Sequence, residues 1–286
     1  MGSLALTLVI ISAFIHATWN LMAKRAAGGW MFVWLFTGCS SLLLVPIAVT
    51  YTVIVQPDLD LRDVSFIVGT AVIHLLYFLL LQRAYALGDL SLIYPLARGS
   101  GPTLATVGAV LLLGEQPSPL TWLGLVLVVG GVVVLALPAV GFDKQNLRPG
   151  LVYGLLTGCC IASYTVWDKY AVDQLSISPL LMEAATGLGV CLMLTPSALA
   201  RRAEVRAIWS AHRNNVLGVA ILSPTAYLLI LVAMSFTDLS SIAPAREISI
   251  LIAAILGTRF LGEAQTARRL AAAAAMVCGL LALACG

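Results

Sequence analysis

Charge is scarce in this chain. Its 286 residues include 16 lysines and arginines and 13 aspartates and glutamates, 10% in all, where a soluble domain carries about a quarter. The motifs of several enzyme classes are missing as well. There is no His-Glu-x-x-His zinc motif, no Gly-x-Gly-Asp aspartyl motif and no Gly-x-Ser-x-Gly elbow. No Walker A segment is present, which argues against direct ATP hydrolysis. The six cysteines (Cys39, Cys159, Cys160, Cys191, Cys278 and Cys285) form no CxxC and no Cys/His metal spacing, and are expected to be buried small hydrophobes. No basic region precedes the first apolar run, Met1 to Ile15, so it reads as a membrane helix rather than a cleaved signal peptide. Low-complexity tails and stretches long enough for a soluble domain are also lacking.

What is there is apolar. Sixty per cent of the residues are hydrophobic and the mean hydropathy is +1.00, the composition of an integral membrane protein. Runs of about 20 apolar residues predict ten helices, near 3–23, 30–52, 64–86, 91–113, 119–138, 150–170, 178–198, 216–236, 240–260 and 268–285. Only 56–63, 140–149 and 200–215 read as substantial loops.

The second half repeats the first. Asp89-Leu90-Ser91 with Pro95 and Arg98 returns as Asp238-Leu239-Ser240 with Pro244 and Arg246. Leu113-Gly114-Glu115 returns as Leu261-Gly262-Glu263, and Ala17-Thr18-Trp19 with Lys24 as Ala162-Ser163-Tyr164 with Lys169. Three matches in order point to duplication. The expected organisation is an all-α integral membrane protein of ten transmembrane helices, arranged as two inverted five-helix repeats over 1–140 and 149–286 with a connecting loop at 141–148. An odd helix count makes the second copy enter from the opposite side. Such repeats place a binding site at their interface, and rocking of one against the other gives alternating access.

The Trp19…Lys24 end of the first helix, the Leu-Gly-Glu turnarounds at Glu115 and Glu263 and the five-plus-five duplication resemble the EamA-type family of the drug/metabolite transporter superfamily. The resemblance covers essentially the whole chain. It implies a central cavity formed mainly by helices 1, 3, 4, 6, 8 and 9, export or exchange of small metabolites such as amino acids, and no organic cofactor.

The basic residues orient the chain. Eleven of them, including Lys24, Arg25, Arg201, Arg202 and Arg206, follow odd-numbered helices, against Arg62 and Lys169 after even-numbered ones. The positive-inside rule then puts both termini outside, whereas the family resemblance implies cytoplasmic termini. Localisation in the plasma (inner) membrane is expected. The partners expected are lipid, a small-molecule substrate and protons as a coupling ion. Nucleic acid is not expected, and the assembly is a monomer or weak homodimer.

Candidate site residues are the polar groups inside the spans. Arg98 and Arg246, beside helix breaks expected at Pro95 and Pro244, suit bidentate contact with a carboxylate, phosphate or phosphonate; internal neutralisation by Glu183 or Glu247 is the alternative. Tyr94, one turn before Arg98, is placed with the cavity, together with Trp19, Asn20, Tyr77, Tyr164 and Tyr227. His16, His74, Glu183 and Glu247 are the proton-coupling candidates, since an intramembrane ionisable group is costly unless used. A hydrogen bond between helices is the plainer reading of either histidine. Glu115 and Glu263 are read as structural, facing the positive end of the helix that follows. Lys169 is read as snorkelling to the interface beside Asp168. Gly108, Gly124, Gly130, Gly131, Gly154 and Gly158 are read as close-packing positions.

Overall fold

The structure is a computed structural model. Its backbone is described for residues 1–26, 29–87, 90–136, 147–252 and 267–286; within these, the side chains of Lys24 and of residues 82, 84–87, 90–96, 98–99, 135–136, 147–151 and 267–270 fall outside the description. The expectations for Tyr94, Arg98 and Glu263 therefore lie outside the described side chains, as does most of the connecting loop.

The described residues are helical almost throughout. The elements are α1 (Ser3–Ala26), α2 (Gly29–Val55), α3 (Leu61–Leu87), α4 (Leu90–Leu113), α5 (Pro119–Ala136), α6 (Leu147–Asp173), α7 (Pro179–Ala200), α8 (Arg202–Met234), α9 (Leu239–Ala245) and α10 (Ala267–Cys285). Five of them (α1, α2, α3, α7 and α8) are long and apolar enough over their described residues to cross a membrane.

Burial runs opposite to that of a water-soluble bundle. Large apolar side chains such as Leu42, Ile47, Val53, Ile54, Leu111 and Leu112 stand exposed, while Ser12, Ser40, Ser41, Thr70, Thr106 and Thr157 are buried. Lipid tails solvate leucine as well as a protein interior does, so helices associate through small and weakly polar residues instead. The buried hydroxyls return their protons to carbonyls one turn back, as Thr37 does to Val33 (2.8 Å) and Thr106 to Pro102 (2.9 Å). Ser12 instead donates across helices to the Ala226 carbonyl at 2.8 Å.

Helix contacts pair the two halves. α1 packs on α8 and α3 on α6; α2 packs on α7, α4 on α9 and α5 on α10. Glycine permits the closest of these. A Cβ at Gly124 would lie 2.9 Å from the Gly279 carbonyl oxygen, and one at Gly131 2.9 Å from that of Ala272, so α5 meets α10 through bare backbone. A Cβ at Gly158 would strike the Ser100 hydroxyl, where α6 crosses α4. Gly130 corrects the packing expectation: nothing lies within 4 Å of a Cβ there. Gly158→Leu should lower the thermal transition in detergent by the equivalent of about 1–3 kcal/mol of overpacking, and Gly130→Leu should leave it unchanged.

Three further expectations are corrected. Residues 202–215 are helical, the start of α8, bent at His212 (φ −131°, ψ 19°). Val205 and Ile208 pack on the core formed by α2, α7 and α8, so this polar stretch is one-sided rather than a loop. α4 runs unbroken past Pro95, whereas α9 stops after Pro244 and turns at 246–247 before the chain resumes helix over 248–252. The cysteines are not uniformly buried: Cys159, Cys278 and Cys285 are exposed on the apolar surface.

Candidate functional site

Proline decides where the site opens. Pro244 lies next to last in the seven-residue α9, and the turn that follows carries Arg246 and Glu247. Ending the helix there presents a guanidinium inside the bundle, and it lies over the Tyr227 ring of α8, 5.5 Å from the centroid. Residue 246 is half-buried, and Glu247 beside it is 3% exposed.

Around that point three helices contribute aromatic rings. His74 of α3 stacks on Tyr164 of α6 at 4.1 Å and meets Tyr227 edge-on at 5.5 Å. Tyr77 and Tyr227 each meet Tyr164 edge-on, at 5.6 and 6.1 Å. The spacings place His74 and Tyr77 on one face of α3, as three residues apart on a helix requires. His74 is held by the Thr70 carbonyl, 2.9 Å from Nδ1, so Nδ1 carries a hydrogen and Nε2 remains the acceptor in the neutral ring.

Carboxylates stand behind the rings. Tyr227 donates to Oδ2 of Asp168 at 2.5 Å. Asp168 is 1% exposed and Glu183 of α7 is 9% exposed. Oδ1 of Asp168 and Oε2 of Glu183 have no hydrogen-bond partner among the described residues. The two carboxyl groups lie within electrostatic reach of one another, and Arg246 within reach of Asp168. His16 of α1 joins from the other side. With Ser12, Tyr227, Ala226 and Arg246 it lines a cavity of about 10 Å³, space for roughly one water molecule. The site is thus nearly closed.

Most of the expected residues converge here: Arg246, Tyr227, Tyr164, Tyr77, His74, Glu183 and His16. Trp19 and Asn20 sit one turn further along α1. Trp19 meets His16 edge-on at 4.8 Å but packs into the core of α2, α7 and α8, and Asn20 donates to the His16 carbonyl at 2.8 Å. Asp168 was not among the expected site residues; its sequence neighbour Lys169 suggested a surface ion pair. Lys169 instead turns the other way. It is 4% exposed, bonds the carbonyls of Met234 (2.9 Å) and Thr237 (3.1 Å), and pairs with Asp173 at 3.1 Å. That corrects the snorkelling expectation: the ammonium satisfies the carbonyl end of α8.

Glu115 does the converse for α9. Gly114 ends α4 with φ +72°, a conformation that favours glycine, and the following Glu115 reaches across the molecule. Its carboxylate accepts the N–H groups of Leu239 at 2.7 Å and Ser240 at 2.8 Å. The helix it caps is not the next in sequence, as expected, but α9, which packs on α4. Asp238, the residue preceding α9, makes no side-chain cap. The corner between α8 and α9 is therefore held by a cation at one helix end and an anion at the other. On the same side of the bundle Arg62 bonds the Tyr170 hydroxyl, and Phe66 stacks on Trp167 at 4.2 Å. Trp167 belongs to this packing: its indole N–H bonds the Phe66 carbonyl at 2.9 Å.

A larger crevice, about 370 Å³, lies elsewhere, lined by Trp30, Leu79, Leu194, Ser197, Ala200 and Arg201. It contains none of the converging polar groups except a peripheral arginine, so its size does not make it the site. Among the described residues no group of histidine, cysteine and acidic side chains has the arrangement of a metal centre.

None of the curated proteins compared matches the sequence significantly. Among solved structures, a crystal structure described only as that of a protein superposes with a TM-score of 0.77 over 99% of this chain and 96% of that one. The two sequences are 15% identical, so the likeness is one of fold. The model of the EamA-like transporter family matches twice, over residues 3–137 and 148–285. With both halves matched and five described helices long and apolar enough to cross a membrane, the chain is a multi-pass membrane protein that belongs to the EamA-like transporter family of the drug/metabolite transporter superfamily.

Proposed function

We propose that the chain is a secondary transporter, an exporter or exchanger of a small organic metabolite, working by alternating access in the plasma membrane. The substrate carries an anionic group, as amino acids and organic phosphates or phosphonates do. The observation that supports this most is Arg246, a guanidinium set over Tyr227 at the edge of a polar cluster inside an apolar bundle. An arginine in a membrane interior costs at least ~2.5–3.5 kcal/mol on insertion scales, and a planar donor fork is matched to carboxylate and phosphate.

The helix pairing supports a twofold relation between the two repeats, 1–140 and 149–286, which an odd number of helices per repeat turns into inversion. A twofold axis in the membrane plane that exchanges the repeats pairs α2 with α7, α4 with α9 and α5 with α10, and makes α1–α8 equivalent to α3–α6. All of these contacts are present. The ten-span count extends that reading through the residues outside the description. In this arrangement Arg98, the counterpart of Arg246, serves the same anion from α4, with Tyr94 beside it.

The test is flux through the purified protein in liposomes, using labelled amino acids and organic phosphates ranked beforehand by thermal stabilisation in detergent. Saturable movement of an unmodified compound is the expected result, and conversion to a product would overturn the proposal. Arg98→Ala should abolish that flux while the protein stays folded in the membrane. Wild-type flux in the variant would remove Arg98 from the site.

A further inference from the structure

Among the described residues, the cluster contains more acid than its cations and hydrogen-bond donors satisfy. Asp168 on α6 and Glu183 on α7 each keep one buried oxygen with no partner among the described residues. A carboxylate withdrawn from water is costly unless paired or hydrogen-bonded, and two like charges close together compound the cost. The groups facing Asp168 can be named helix by helix. α3 gives His74, with the Thr70 hydroxyl alongside; α7 gives Glu183; α8 gives Tyr227, which donates to Oδ2. The turn after α9 gives Arg246, with buried Glu247 beside it. From α6 itself come Tyr164, against the same rings, and Lys169, which is directed to the α8 carbonyls and Asp173. On α4 the titratable side chains of Tyr94 and Arg98 lie outside the description. Among the described residues Arg246 is thus a cation within reach of Asp168, while Oδ1 of Asp168 and Oε2 of Glu183 remain without a hydrogen-bond partner.

We infer that Asp168 and Glu183 form an exchangeable proton site, one proton being held between the unpartnered Oδ1 of Asp168 and Oε2 of Glu183, and that this proton is taken up and released during transport. Asp168 is the acid that sequence reading passed over, and its role rests on the transporter proposed above. Tyr227 ties the proton to the substrate site, because it joins Asp168 through its hydroxyl and Arg246 through its ring. With the proton present, the negative charge near Arg246 falls and the guanidinium is free for an anionic substrate group. When the proton returns to water, Asp168 competes for that guanidinium. Proton and anion therefore load together. No bond other than O–H forms or breaks, and the proton passes from water to carboxylate and back.

The test needs no identified substrate. Infrared difference spectra of the full-length protein in lipid, taken across a pH titration, should show a carboxylic-acid C=O band that disappears on deprotonation. Asp168→Asn and Glu183→Gln, each checked for monodispersity, should each remove it. Tyr227→Phe, which keeps the ring, should move the band to higher wavenumber by freeing Oδ2 from its donor. A wild-type spectrum with no titrating acid band overturns the inference, as does a band that survives either carboxyl substitution or ignores Tyr227→Phe. The liposome assay separates this failure from that of the transport reading. Flux that ignores a pH gradient, with the band present, overturns proton exchange during transport but leaves a transporter. Absence of flux for every compound overturns the transporter itself.

Discussion

Arg246→Ala lowers flux by about 100-fold, the equivalent of roughly 2–3 kcal/mol at about 1.4 kcal/mol per tenfold. Two losses combine in that figure. The substrate loses its bidentate partner, and the buried carboxyl group of Asp168 loses a cation within its electrostatic reach. Removing one member of a buried charged set costs about 3–5 kcal/mol when the remaining charge stays uncompensated, so a lower thermal transition accompanies the loss of flux. Arg246→Lys separates the two. It keeps the charge, and with it most of the thermal stability, but an ammonium lacks the planar fork and stacks less well on Tyr227. Flux should remain well below wild type in that variant. Full activity in Arg246→Lys would mean that only charge is needed, and full activity in Arg246→Ala would remove Arg246 from the substrate path.

The second large effect belongs to Glu115. Its carboxylate takes both N–H groups at the start of α9, Leu239 at 2.7 Å and Ser240 at 2.8 Å, from the other half of the sequence. Hydrogen bonds to a charged group are worth about 1.5–3 kcal/mol each, so Glu115→Ala should cost several kcal/mol and be visible as a lower melting temperature. Glu115→Gln keeps one acceptor and should fall between. Because α9 leads directly to Arg246, the same variants should lose flux in the same order. Wild-type melting in Glu115→Ala would show that the cap contributes nothing to stability.

The contrast between Glu115 and Asp168 shows where sequence reasoning works in such a chain. The helices were legible because lipid demands long apolar runs with internally satisfied backbones. The repeat brought Arg246, Tyr164 and the Leu-Gly-Glu turn to notice, and the intramembrane cost of ionisable groups singled out His16, His74 and Glu183. What it did not carry was direction around each helix. Asp168 and Lys169 are neighbours in sequence, but about 100° apart around α6, at 3.6 residues per turn. One therefore faces Tyr227 and the other the end of α8. The i,i+4 partner of Lys169 is Asp173, a spacing that could have exposed the misreading. For Glu115 the sequence shows a carboxylate after a glycine but not which helix end it meets; only the packing of α4 on α9 decides that. The stretch at 202–215 reads as a loop because four charged residues and two asparagines interrupt its apolar ones, yet Val205 and Ile208 seat it as a helix.

Access to the cluster from both sides of the membrane is the central claim, and Ser12 offers the most direct probe of it. Its side chain lines the small cavity with His16, Tyr227 and Arg246. With all six native cysteines replaced, Ser12→Cys in oriented vesicles is exposed to a membrane-impermeant maleimide on one side and then, separately, on the other. The account predicts slow labelling from both sides, accelerated or suppressed together with transport by a compound that stabilises the protein. Labelling from neither side, or from one side only under every condition of pH and ligand, would contradict it.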